Sequence, residues 1–317
     1  MFHVKHKLEK VETCPLCGHK EFTHHLSCVD HNYSNDIFDI SSCKNCSFKF
    51  TNQRTTSDTI HKYYISDQYI SHTSSKKGLF NKVYHLVRNY QFGYKYRLIK
   101  KNHAQVKDIS LLDFGCGTGE FLNYCNQKGM HCRGVEKDDG ARNMGKSNFN
   151  LSILEKLEEV ESKKEKFDVI TLWHVLEHIK DFKLLLTRLK ELLNENGILI
   201  LGLPNHNSLD AQIFKENWVA YDVPIHLSHF SQNNMKDLVS HLSFKSISTE
   251  PLFFDAYYIS LLSAKKKGKS FLFGLKSGVM SNRKAKKTSE YSSLAYIIKN
   301  KLFCGSYNCF LCQLIKK

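Results

Sequence analysis

The chain has 317 residues, 41% of them apolar, and a formal net charge of +15. Such a length predicts roughly two domains, and the apolar share is ordinary for a globular protein. No apolar run approaches the ~18 residues that span a bilayer, and "MFHVKHKLEK" lacks the apolar core and cleavage site of a signal peptide, so the cytoplasm is the expected compartment. Excess positive charge favours polyanions such as RNA, DNA, anionic lipid or phosphate-bearing substrates. A lysine-rich solvated surface is the plain alternative.

Eleven cysteines, an odd number with no secretion signal, argue against a disulfide framework. Four are set apart by spacing, as Cys14-x-x-Cys17 and Cys43-x-x-Cys46. Each C-x-x-C turn brings two thiolates to one tetrahedral ion. Two turns complete a site with no position left for substrate, so the pattern predicts a structural zinc ribbon over 1–52. Gly18 permits the tight turn, and "KEFTHHLSC" and "SFKFT" alternate like ribbon strands. So short a segment makes a poor core unaided, and the metal supplies much of its folding energy. His19, His24, His25 and His31 are read as surface residues.

Residues 53–105 form a linker. Leu79, Val83, Leu86 and Val87 fall at helical spacing with Tyr84, Tyr90, Tyr94 and Tyr96 interleaved, which predicts one or two helices packed on the next domain. Basic residues among aromatics also suit nucleic acid.

"DISLLDFGCGTGEFLNYCNQKG" reads as a strand ending at Asp113, a loop Gly115-Cys116-Gly117-Thr118-Gly119, and a helix closed by Gly129. Glycines let backbone approach a ligand that a Cβ would block, and the helix N-terminus suits a phosphate or carboxylate. Dinucleotide enzymes use such a loop as well. "CRGVEKDD" is a second strand ending in Glu136, an acid placed to accept ribose hydroxyls. "KFDVITLWHVLEHI" and "LKELLNENGILILGLPNHNS" add further strands and helices, so an α/β, Rossmann-like, doubly wound and mostly parallel sheet is expected.

"LLDFGCGTGEF", "VE", "FDVITLWHVLEHI" and "LLNENGILILGLPN" resemble the successive motifs of class I S-adenosylmethionine-dependent methyltransferases. The resemblance is close over 107–205 and looser to 317, and it implies a methyltransferase domain over 106–317. An acid two residues before the first glycine separates the loop from most NAD folds. By this resemblance Asp113, Phe114, Gly115, Cys116, Gly117 and Gly119 contact S-adenosylmethionine, and Glu136 binds its ribose. Residues near Leu154–Leu157, Leu157 among them, flank adenine, and Trp173 lies beside the cofactor. The family's seven-stranded sheet ends in an antiparallel hairpin, for which "FKSISTEPLFF" and "SYNCFLCQLI" are the candidate strands.

"WHVLEHI" contains His174-x-x-Glu177-His178, the pattern of an inverted zinc protease. On a helix the two histidines would share a face. At a strand end in a nucleotide-binding fold, the protease reading fails. Ubiquinone-type O-methyltransferases resemble this stretch, with E-x-x-E-H able to hold a divalent cation near the acceptor oxygen. His174 replaces the first carboxylate, which favours zinc or manganese over magnesium in a second metal site. Alternatively, Glu177 and His178 cap and orient the helix while His174 alone faces the pocket.

After the fifth strand, an acceptor-side insertion over about 206–235, "NHNSLDAQIFKENWVAYDVPIHLSHFS", is rich in His, Asn, Asp and aromatics. Ligands of such folds bind outside the carboxyl ends of the strands, and imidazole suits a base near neutrality. The catalytic candidates are His174, His178, His226 and His229, with Tyr221 and Asp222 orienting. Cys309-x-x-Cys312 lies in a strand-like run with its cysteines on opposite faces, and Cys116 has no base beside it. "AKKKGKSFLFGLKSGVMSNRKAKK" is an apolar patch flanked by lysines, suited to an anionic membrane surface or RNA, or simply a mobile basic loop.

Together these features predict a zinc ribbon joined to a class I methyltransferase. The resemblance implies O-methylation of a small molecule, sugar or glycan precursor. The alternatives are a ribosomal RNA base methyltransferase, which the charge would suit, and a non-catalytic cofactor-binding protein, against which Asp113, the three glycines and Glu136 stand. "LWHV" in place of an N-P-P-Y motif weakens methylation of amino groups.

Overall fold

The computed structural model describes residues 8–56, 58–64, 79–103, 108–285 and 288–300. The two C-x-x-C turns shape the N-terminal segment. β1 (Leu8–Glu9) is followed by the hairpin β2 (Phe22–Val29) and β3 (Ile37–Cys43), β4 (Lys49–Thr51) adds to β3, and β5 (Arg54–Thr55) returns to β1. The turns are alike. Gly18 and Ser47, at φ 78 and 57, donate their amides to the carbonyls of Cys14 and Cys43 at 2.8 and 2.9 Å.

The long helix α1 (Leu79–Asn102) precedes the alternating unit β6 (Ser110–Phe114), α2 (Glu120–Gln127), β7 (His131–Val135), α3 (Asp139–Phe149), β8 (Ile153–Leu154), α4 (Leu157–Ser162), β9 (Phe167–Trp173), α5 (Phe182–Glu191) and β10 (Leu193–Pro204). Then come α6 (Leu209–Phe214), β11 (Ser228–His229), α7 (Gln232–His241), β12 (Lys245–Pro251), α8 (Phe253–Lys266), α9 (Phe271–Lys284) and β13 (Ser293–Lys299). Seven strands form one sheet in the order β12-β13-β10-β9-β6-β7-β8. From β8 through β10 the pairs are parallel, and β13 runs antiparallel to both neighbours. This is the mostly parallel, Rossmann-like sheet expected.

The terminal hairpin corrects one expectation. β12 lies in "FKSISTEPLFF", but its partner is "SLAYIIK" at β13. The other expected strand, "SYNCFLCQLI" with Cys309-x-x-Cys312, lies outside the described residues. β13 sits between β10 and β12 and buries six successive residues, as a central strand covered on both faces must. A second correction concerns the lysine-flanked segment, which is no loop over its described length, since α9 occupies most of it.

Alternation along the strands divides the core. Leu112, Ile170, Leu172, Leu199 and Leu201 face α4 and α5, where Val160, Phe182 and Leu189 meet Phe48 and Phe50 of the N-terminal sheet. Leu111, Val169, Ile198 and Ile200 face α1 and α2, through Leu98, Ile99, Phe121 and Leu122. No helix among the described residues is long and apolar enough to cross a membrane.

The N-terminal sheet is not free-standing. Its fourth strand is β11, from the acceptor-side insertion, paired antiparallel with β4 so that Ser228 opposes Phe50 and His229 opposes Lys49. Phe230 closes the seam, its ring 5.3 Å from that of Phe48 and 5.4 Å from that of Phe182. Phe230→Ala would remove a large buried ring at a junction of three segments, at a cost of about 3–5 kcal/mol. Urea denaturation should show this as one earlier transition, coincident by circular dichroism and tryptophan fluorescence. A separate early transition would mean that the N-terminal sheet unfolds on its own.

Candidate active site at the carboxyl ends of the strands

At the end of β6 Asp113 is buried and accepts a hydrogen bond from Thr171 Oγ1 at 2.6 Å. Burial, with Glu136 nearby, pushes its carboxyl up to about 7, although Thr171 and Lys95 oppose the shift. Phe114 packs on the core beyond it, and the chain then turns through the glycines. A Cβ at Gly115 would lie 2.5 Å from Val175 Cγ2, so this position is closed by packing. Gly117 differs, because at φ 56 its Cβ position has nothing within 4 Å and the backbone faces open space. Gly119, at φ 75, starts α2. The Cys116 thiol is pushed up, first by burial and then by Asp113 and Glu136, so it is not a poised thiolate.

Glu136 folds beneath this loop. One carboxylate oxygen accepts from the Gly117 amide at 2.8 Å and the other from the Asp138 amide at 2.9 Å. Arg142 steadies this strand end by donating to the carbonyls of Glu136 and Lys137 at 2.8 and 2.7 Å. A cleft of about 360 Å³ opens alongside, lined by Arg142, Lys146, Ile153, Leu154, Glu155, Lys156 and Glu159. Leu154 thus lines the cleft. Leu157, expected beside adenine, is instead in the core, because as the first residue of α4 its side chain turns inward. The Trp173 ring packs edge-on to Phe121 at 5.8 Å and against Gly202, where a Cβ would come within 2.6 Å of it. Lys95 of α1 lies over the same ring, 4.4 Å from its centre.

"WHVLEHI" is not a helix, contrary to the spacing argument. β9 ends at Trp173, His174 takes φ 56, and only a 3-10 turn follows at Leu176–His178. The left-handed residue throws the two histidines apart. His174 Nε2 lies 2.9 Å from Asp255 Oδ2, and its Nδ1 lies 3.5 Å from Glu177 Oε1. Burial opposes a charged ring, but the two carboxylates outweigh it and raise His174 to about 9. It stands as an imidazolium, the opposite of a free proton acceptor.

His178 points the other way. Its Nδ1 is 3.2 Å from the Tyr64 hydroxyl, and its ring meets His226 edge-on at 4.6 Å. Burial, together with His226, lowers it to about 4. Burial also lowers His226, whose Nδ1 donates to the Ala220 carbonyl at 2.9 Å, leaving Nε2 with a lone pair. Ligand atoms of Glu177, His178 and His226 therefore lie within 4.8 Å of one another. Glu177 is 1% exposed, and among the described residues neither of its oxygens has a hydrogen-bond partner. Burial raises its carboxyl, yet the surrounding imidazoles hold it below the usual range. A buried carboxylate without hydrogen bonds beside two neutral imidazoles fits a divalent cation of the zinc or manganese type. His226, not His174, supplies the third donor.

His229 is not brought to this cluster. It lies in the seam with β4, its Nε2 3.2 Å from Thr51 Oγ1 and its ring edge-on to Tyr221 at 5.3 Å. Asp222 is half-buried and raised to about 6, first by desolvation, and it accepts from Asn32 Nδ2 at 3.1 Å. Asp255, Lys95 and Tyr64 were not singled out from the sequence. For Asp255 a signal existed, as the one acid in the apolar run "FFDAYYISLLSA".

The four ribbon cysteines also converge. Cys14 Sγ lies 3.6 Å from Cys46 Sγ, and Cys17 Sγ lies 3.6 Å from Cys43 Sγ. All four sulfurs are within 4.8 Å of one another. Zinc–sulfur bonds of about 2.3 Å in a tetrahedron require sulfurs roughly 3.8 Å apart, so the donor set fits that ion.

The His174–Asp255 pair has a defined pH signature. A raised histidine contributes stability that is complete below its unfolded pKa, ordinarily about 6.5, and is lost as pH rises through about 9. Asp255→Asn should return the His174 titration, followed by imidazole NMR, towards neutrality and flatten the stability profile across that window. An unmoved titration would show that Asp255 does not hold the charge.

A methyltransferase-domain family model matches residues 87–249, just over half of the chain. The ubiquinone biosynthesis O-methyltransferase of Pelagibacter ubique is 27% identical over 125 residues, 37% of this chain and 50% of that protein. The enzyme of the same name from Azorhizobium caulinodans is 30% identical over 126 residues, 38% of this chain and 47% of that one. The chain thus spans about half the length of the curated relatives it matches. Among solved structures, the magnesium protoporphyrin IX methyltransferase of Synechocystis with bound SAH aligns with a TM-score of 0.52 at 12% identity, covering 78% of this chain and 100% of that one. At that identity the likeness bears on the fold. With the seven-stranded sheet and the glycine loop at its centre in accord, the chain belongs to the methyltransferase-domain family and carries the Rossmann-like fold of class I methyltransferases.

Proposed function

We propose that the protein transfers the methyl group of S-adenosylmethionine to a hydroxyl oxygen of a small molecule, sugar or glycan precursor. The observation that carries this reading is the buried cluster of Glu177, His178 and His226 at the end of β9. The curated relatives that the chain matches in part are named O-methyltransferases. A hydroxyl acceptor must lose its proton and meet the sulfonium in line. With no cation bound, His178 or His226, each lowered and so neutral at pH 7, is placed to take the proton as a weak base. His174, held charged by Asp255, orients the strand end and lends positive charge to a developing oxyanion.

In the same reading Asp113, Phe114, Gly115, Cys116, Gly117 and Gly119 hold the methionine portion of the cofactor. Glu136 keeps lone pairs for the ribose hydroxyls, and Leu154 borders adenine. The segments are a zinc ribbon at 1–52, a helical connection at 53–105, and a catalytic domain at 106–317 whose insertion near 206–235 walls the acceptor side. Cys14, Cys17, Cys43 and Cys46 hold a structural zinc ion. A divalent cation held by Glu177, His178 and His226 would lower the pKa of the acceptor hydroxyl.

Three measurements test this. Titration calorimetry with S-adenosylmethionine should show at least tenfold weaker binding for Glu136→Ala and unchanged binding for His226→Ala; equal affinities for Glu136→Ala and wild type would remove Glu136 from the ribose site. Mass-spectrometric metal analysis should find two ions per chain, one lost in His226→Ala and the other retained. A single ion in both proteins would leave catalysis to imidazole alone. With methyl-labelled cofactor and a low-molecular-mass cell extract, the label should enter a product stable to mild base. Base-labile label would indicate a carboxyl acceptor, and label confined to ribonuclease-sensitive material would replace this reading with RNA methylation.

A further inference from the structure

α8 and α9 form an antiparallel hairpin whose residues are distributed the wrong way for a helix pair in water. The face of α9 turned towards α8 is made of Gly274, Ser277, Gly278 and Ser281, all buried. A Cβ at Gly274 would lie 2.9 Å from Leu261 Cα, and one at Gly278 2.9 Å from Tyr257 Cα. Opposite them α8 buries Ala256, Ser260, Ser263 and Ala264. Small residues at this spacing bring two backbones together, the packing used where apolar burial does not drive association. The large side chains of α9 point outward instead: Phe271 and Leu272 are each 65% exposed, and Leu275 and Met280 are exposed too. A helix in a soluble core would bury that ridge and expose the serines.

Charge is arranged around the ridge. Residues 253–284 carry seven lysines and arginines and one acid, Asp255, which is already paired with His174. Lys265, Lys269, Lys276 and Arg283 are exposed beside the apolar side chains. Exposed apolar side chains interleaved with cations, on two helices whose one acid is paired with His174, match an anionic headgroup layer over acyl chains. Phenylalanine and leucine enter the boundary, and lysine stems carry their ammonium groups to the phosphates. Fourteen residues of helix span about 21 Å, too short to cross a bilayer, so α9 lies in the interface plane. A second copy of the chain seated on this ridge would bring two lysine rims face to face. A single-stranded nucleic acid would want successive aromatic platforms, whereas only Phe271 and Phe273 are exposed aromatics on α9 and leucine and methionine make up the rest.

We propose that the outward face of α9, with Phe271, Leu272, Leu275 and Met280 ringed by Lys265, Lys269 and Lys276, is a docking surface for an anionic phospholipid bilayer. Because α8 begins beside His174, a docked hairpin sets the acceptor side of the strands next to the membrane. Co-sedimentation of the full chain with extruded vesicles tests this without reading activity. Vesicles containing phosphatidylglycerol should retain the protein at least tenfold better than pure phosphatidylcholine, with retention falling as salt rises. The double variant Phe271→Ser/Leu272→Ser should lose at least tenfold in retention while keeping the wild-type unfolding midpoint and affinity for S-adenosylmethionine. Lys265→Gln/Lys269→Gln should weaken binding and flatten its salt dependence. The proposal is overturned if wild type stays in the supernatant or if the double serine variant binds vesicles as wild type does. It is equally overturned if sedimentation velocity shows the variant splitting a dimer, or if the ridge retains RNA and not vesicles.

Discussion

The carboxylate of Glu177 constrains everything around it. A charge nearly out of contact with water and without hydrogen bonds costs several kcal/mol unless opposite charge or a cation offsets it. Of the three imidazoles turned towards it, His174 supplies opposite charge, while His178 and His226 face it neutral. His174 comes from the preceding residues of the same turn, His178 from the next, and His226 from the insertion. The backbone joins in, since the Leu227 amide donates to the Glu177 carbonyl at 2.8 Å. From that bond a ladder runs outward. Thr51 donates its amide to the Leu227 carbonyl and its hydroxyl to the His226 carbonyl, which ties the insertion to β4 of the ribbon. On the other side His174 reaches Asp255, which accepts from Gln91 of α1 at 3.3 Å. Ribbon, insertion, α1 and α8 are thus linked to one buried group through successive hydrogen bonds.

That arrangement sorts three chemically identical side chains into different states. His174 sits between two carboxylates and is raised, whereas His178 and His226, buried against each other, are lowered. The split follows from backbone geometry. The positive φ at His174 turns its ring towards α8, and the 3-10 turn that follows swings His178 towards the insertion. A regular helix through this stretch would have stacked both rings on one face and made one site of them. The bend makes two environments a few residues apart, one that raises a histidine and one that lowers it.

Much of the fold was legible because its signals are local. Asp113, the glycines after it and the strand ending in Glu136 occupy one continuous stretch, and the structure places Glu136 directly beneath Gly117. The two C-x-x-C turns are equally local. Three things were not legible, each for a physical reason. The turn at His174 breaks a spacing that reads as helical, and nothing in "WHVLEHI" marks a left-handed residue, since no glycine stands there. Asp255 meets His174 across 81 positions of sequence, a contact that only the sheet order creates. The last strand was misplaced because "SLAYIIK" and "SYNCFLCQLI" are both apolar runs of strand length, and periodicity cannot choose between them. The inward turn of Leu157 is of the same kind, because the core claims an apolar residue that resemblance had placed at a cofactor.

The N-terminal ribbon gains a different meaning from its seam with β11. A small four-cysteine module is usually thought of as an appendage, folded by its metal and tethered by a linker. Here its sheet is completed by the strand that follows His226, and Tyr64, just past the ribbon, reaches the His178 ring. The aromatic stack of Phe48, Phe182 and Phe230 buries the join. Pairing the insertion to the edge of this sheet restricts the motion of the loop that carries His226, and loops are otherwise the most mobile parts of such folds. The rigidity that a metal would lend to the four cysteines would be passed along β4 and β11 to the imidazole at the candidate site. A change at Phe50 would thus be felt at His226 through the β4–β11 seam and the Thr51 hydroxyl without touching the ring.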